Sequence, residues 1–60
     1  MKVGEAIKQA VETWNAHEAG QISDFLRYKG LDYEATYETF NRVTGISRAR
    51  FEELMYEADA

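Results

Sequence analysis

Arg42, Ser47, Arg48 and Arg50 stand in a span, Thr39–Phe51, that contains no acidic residue. A guanidinium is a planar fork of N–H donors that pairs with phosphate or with the edge of guanine. The chemistry such a set could do is anion recognition. The acids Glu52, Glu53, Glu57 and Asp59 follow as a block. They lack the glycine and regular spacing of a calcium loop and read as a solvated face. The same acids offer the arginines local partners, such as Glu52 one helical turn beyond Arg48. Ser23 and Ser47 have no His–acid pair near them in sequence, and both suit helix caps. His17 reads as a half-buried packing residue at the end of the first helix. With no cysteine and a single histidine, disulfides and thiolate metal sites are excluded. No catalytic group, cofactor or metal is expected, and the chain is not read as an enzyme.

The elements that must position these groups are helices. Val3, Ile7, Ala10 and Trp14 recur at steps of 4, 3 and 4, a narrow helical seam. The spacing predicts a first helix over 3–18, stopping near Gly20 or kinking through it. Ile22, Phe25, Leu26 and Lys29 predict a second over 22–29. Gly30 suits the left-handed position beyond its end, with Leu31 folding back onto Leu26. Asp32 can cap a third helix over 33–43, whose inner face is Tyr33, Tyr37, Phe40 and Val43. Glu38 and Arg42 are spaced for an ion pair on it. Thr44-Gly45 turns the chain, and Ser47 caps a fourth helix over 47–58 that buries Phe51, Leu54, Met55 and Ala58. No segment alternates with the period of a strand. The expectation is a small all-α, four-helix domain spanning residues 1–60. Its core should unite Ile7, Trp14, Phe25, Leu26, Phe40, Ile46, Phe51 and Leu54.

The run Thr44-Gly45-Ile46-Ser47-Arg48-Ala49-Arg50-Phe51-Glu52-Glu53-Leu54 resembles the turn and second helix of the helix-turn-helix superfamily, the likeness extending over 37–55. There glycine fills the turn and an apolar residue follows it. The chain departs from that pattern in carrying Asn41 where a small residue is usual. The resemblance implies a helix-turn-helix-like C-terminal half that binds double-stranded DNA. The first turn of the second helix enters the major groove, so Arg42, Ser47, Arg48 and Arg50 are the implied contacts.

Charge opposes that reading. The net charge is −4, unfavourable for a general binder of polyanions. Residues 1–30 balance four bases with four acids, whereas 31–60 carry three bases and seven acids. With Phe51 pointing inward, the fourth helix turns Ala49, Glu53 and Tyr56 outward, with Glu52 beside them. Two readings follow. One is a small DNA-binding or regulatory protein, of a size that suits a phage or mobile-element product. The other is an acidic helical adaptor or inhibitor that binds a basic protein through Glu52, Glu53 and Tyr56. A chain of 60 residues buries too little surface for ample stability. A homodimer is therefore expected, paired through the seam Val3, Ile7, Ala10 and Trp14. No apolar run approaches the length of a membrane span and no signal sequence is evident, so a cytoplasmic location is expected.

Overall fold

The computed structural model describes residues 2–60. Four helices follow in order: α1 (Val3–Glu12), α2 (Ala16–Tyr28), α3 (Tyr33–Thr44) and α4 (Arg48–Asp59). Among the described residues there is no strand, so the fold is all-α. The molecule measures 23 × 22 × 19 Å. α2 lies chiefly against α4 and α1, and α1 also packs on α3.

α2 and α3 end where local chemistry stops them. α2 closes with Gly30 at φ 104°. There the Leu31 N–H donates to the Leu26 carbonyl at 3.1 Å and the Gly30 N–H to Arg27 at 3.0 Å. This is the expected Schellman arrangement. Asp32 then caps α3 by accepting from the Ala35 N–H at 2.9 Å. Gly45, at φ 75°, ends α3, and Ser47 caps α4 by accepting from the Arg50 N–H at 3.2 Å.

The first helix ends earlier than its spacing predicts. α1 stops at Glu12 rather than near Gly20, and α2 starts at Ala16. The stop is Trp14, the one non-glycine residue with positive φ (51°) among those described. Asn15 N–H donates to the Ala10 carbonyl at 2.8 Å and Trp14 N–H to Val11 at 3.1 Å. This is a second Schellman turn, with tryptophan where glycine is usual. Asn15 then caps α2, accepting from the Glu18 N–H at 3.1 Å. Gly20 consequently lies inside α2, and His17 is exposed on that helix instead of extending the α1 seam.

The early break lets α2 fold back along α1 and close the core. Ile7, Ala10, Ala19, Ile22, Leu26, Phe40, Ile46, Phe51, Leu54 and Met55 form one buried cluster. Phe51 is its centre, with ring centroids 5.1 Å from Phe40, 5.4 Å from Tyr37 and 5.5 Å from Tyr33. Thr36 is buried with them, its hydroxyl satisfied by the Asp32 carbonyl at 2.8 Å. Four apolar positions differ from expectation, one being Ala58 in the last turn of α4, which is only half-buried. Trp14 is only partly buried at the core's edge. Phe25 is 46% exposed and Val43 38% exposed, because α2 and α3 present them beside the core rather than into it.

Candidate functional site

The turn between α3 and α4 is knit by two α3 side chains. The Asn41 amide donates to the Ile46 carbonyl at 3.0 Å. The Thr44 hydroxyl donates to the Phe40 carbonyl at 2.9 Å and accepts from the Ile46 N–H at 3.2 Å. Asn41 is exposed and serves the turn. Phe40, Ile46, Phe51 and Leu54 all face inward, which holds the first turn of α4 at the surface.

That turn carries the arginines, and each is already engaged. Arg48 pairs with Glu34 on α3 and with Glu52 at 2.9 Å on its own helix. Its guanidinium also lies 5.4 Å from the Tyr33 ring centroid and 5.2 Å from that of Tyr37. Hydrogen bonds to Glu34 and Glu52 hold its pKa above the ordinary arginine value. Partial burial, followed by the charge of Glu52, raises the Tyr33 phenol against the opposing pull of Arg48. Arg50 binds Glu53 at 2.9 Å and stacks over Trp14 at 4.0 Å from the ring centroid. The Trp14 indole N–H in turn donates to the Glu57 carboxylate at 3.1 Å. Arg48 thus ties α4 to α3, while Arg50 and Glu57 tie it to the α1–α2 connection.

Of the four residues implied as DNA contacts, Ser47 is the helix cap and Arg48 and Arg50 are ion-paired within the chain. Arg42 is exposed, and the pair expected with Glu38 does not form among the described residues. The outer side of α4 presents Glu52, Glu53 and Tyr56, the last 78% exposed. Tyr56 follows Glu53 by three residues and Glu52 by four, so the three share one face.

The seam nominated for a homodimer is used internally. Ile7 and Ala10 are 0% and 2% exposed within the chain's own core, and Val3 and Trp14 are half-buried at its margin. α2 and α3 pack on α1 because the chain reverses at Trp14, α1 ending at Glu12, six residues before Glu18.

His17, Ser23 and Asp24 line a cleft of about 200 Å³ between α2 and α4. No hydrogen bond joins any two of them. Among the described residues no group of three His, Asp or Glu side chains is arranged to hold a metal ion, and no helix is long and apolar enough to cross a membrane.

The Arg48–Glu52 pair was legible from its spacing. Glu34 and the Trp14–Arg50–Glu57 contacts had no local signal, since each joins separate elements. Comparison with protein-family models, with curated proteins and with solved structures finds no match.

Proposed function

We propose that this chain is a small acidic helical module that binds a protein, with Glu52, Glu53 and Tyr56 on the outer face of α4 meeting a basic partner. The observation that carries this is the state of the arginines. Arg48 and Arg50 are neutralised in place by Glu34, Glu52 and Glu53, so three carboxylates against two guanidiniums leave this face net negative with no uncommitted base on α4. An exposed tyrosine among carboxylates suits a cationic surface, since tyrosine supplies large contact area at interface centres and opposite charges guide encounter.

DNA binding is the second reading. It is favoured by the inward placement of Phe40, Ile46, Phe51 and Leu54, the pattern a helix-turn-helix requires, and by the exposed Arg42. Exposed ion pairs are worth little individually, so phosphates could draw the arginines away. Glu52 and Glu53 would then be left facing the backbone of the duplex.

Titration of the Glu52→Gln/Glu53→Gln variant separates the two. Against a lysine- and arginine-rich helical peptide, binding should weaken relative to the parent chain. Against duplex DNA at low salt, the same change should tighten binding, because it removes repulsion, frees Arg50 and leaves Arg48 paired with Glu34 alone. Unchanged peptide binding would overturn the protein-binding reading. Parent-chain binding to DNA that is lost in Arg48→Ala and Arg50→Ala, and that falls steeply with salt, would replace it with the second.

A further inference from the structure

The ion pairs among the described residues all involve Arg48 or Arg50. The four bases and four acids of residues 1–30 make none, although they balance. Beside them Phe25, which the sequence pattern assigned to the core, stands at the surface. Val3 and Ala6 of α1 and Ile22 and Phe25 of α2 line a shallow groove of about 190 Å³, with Glu18 and Gln21 at its rim. Phe25 forms one wall, 46% exposed, and the Lys29 ammonium stands 5.5 Å from its ring centroid.

Glu18, Ile22, Phe25 and Lys29 follow one another at steps of 4, 3 and 4 and so form one stripe along α2 and its C-terminal cap, with Phe25 its open apolar member and Ile22 the buried floor beside it. The stripe is symmetric about the Ser23–Asp24 peptide bond. Glu18 and Lys29 lie equally far on either side of that point, and Ile22 and Phe25 likewise. From these placements we infer that the α1–α2 groove is a two-fold self-association site, whose occupant is the same stripe of a second copy running antiparallel. A two-fold interface sets residue i against j and j against i. Here Lys29 meets the partner copy's Glu18 at both ends, roughly 16 Å apart along the helix at its rise per residue. Phe25 enters the other groove over Ile22 and Ala6. The charges are complementary to themselves only in this half of the chain. The second half carries an excess of acid and would repel its own copy.

This site shares Val3 with the seam Val3, Ile7, Ala10 and Trp14 but is centred on Phe25, which the protomer leaves open. It leaves Glu52, Glu53 and Tyr56 unused, so it stands apart from the functional reading.

Sedimentation equilibrium from micromolar to millimolar concentration tests the inference. The parent chain should show a reversible monomer–dimer equilibrium. Phe25→Glu should keep the helical circular dichroism and weaken dimerisation roughly tenfold or more, the loss typical of a central aromatic anchor. Glu18→Lys and Lys29→Glu should each weaken it, and the double charge swap should restore it. A parent chain that stays monomeric throughout would overturn the proposal. So would a dimer indifferent to Phe25→Glu, or single charge reversals that the swap does not rescue.

Discussion

Trp14 occupies a backbone position that glycine usually fills. A side chain in the left-handed region costs about 1–2 kcal/mol through the clash of its Cβ with the backbone. The position holds because the ring is gripped from α4: Arg50 lies over its face at 4.0 Å and Glu57 accepts its N–H at 3.1 Å. Removing either grip leaves the strain uncompensated. Because this is the only tryptophan in the chain, its fluorescence reports the contact without interference. Glu57→Ala should shift the emission to the red. It should lower Tm by no more than roughly 4–8 °C, the shift that about 1 kcal/mol produces in a domain of this size. Emission unchanged by the substitution would mean that the indole is not held by Glu57 in solution. Arg48 is held more heavily, by two carboxylates and two phenol rings. Lysine could not reproduce that arrangement, because an ammonium has neither the planar fork nor the stacking face.

At the scale of the elements, Gly20 carries the plainest lesson. A glycine between two apolar stripes reads as a stop, yet here it lies inside α2, facing Ala58 of α4. A Cβ built on it would stand 3.0 Å from the Ala58 Cβ. Gly20→Ala should therefore destabilise the fold, even though alanine is favoured over glycine by about 1 kcal/mol inside a helix. Adding Ala58→Gly should return part of the loss, and thermal unfolding of the two variants checks both signs. A Tm raised by Gly20→Ala alone would mean that the helices separate at little cost. The same position explains what could be read in advance. The ends marked by Gly30, Asp32, Gly45 and Ser47 were legible because each is specified by its own neighbours. The end of α1 was not, since Trp14 is held in its conformation by Arg50 and by Glu57, the latter 43 residues away. The misplacement of Phe25 has a related cause. Its spacing fits a helix face, but which arc of that face is covered depends on where α1 lies. In the candidate site, the arginines were visible in the sequence and their partners across elements were not.

Across the whole molecule, charge and apolar surface divide between the two halves of the chain. The α1–α2 half is electrically balanced and retains an open apolar groove. The α3–α4 half carries the acid excess and engages Arg48 and Arg50 internally. The core, however, does not divide. Phe51, Leu54 and Met55 of α4 are buried against side chains contributed by the other helices. A chain truncated before Arg48 should therefore lose cooperative thermal unfolding and most of its helical circular dichroism. Retention of a sharp transition would show that the first three helices form a core unaided.

The packing of α2 on α4, fastened by Trp14 and Glu57, also orders events in time. Local helices can form within microseconds, but they gain little by doing so until the segment that completes their core arrives. Short isolated helices are marginal in water, and the closure that stabilises these spans most of the chain. Folding should consequently proceed in one kinetic step, with no populated intermediate. During synthesis, the earlier segments would remain unfolded until the last helix is free to join them.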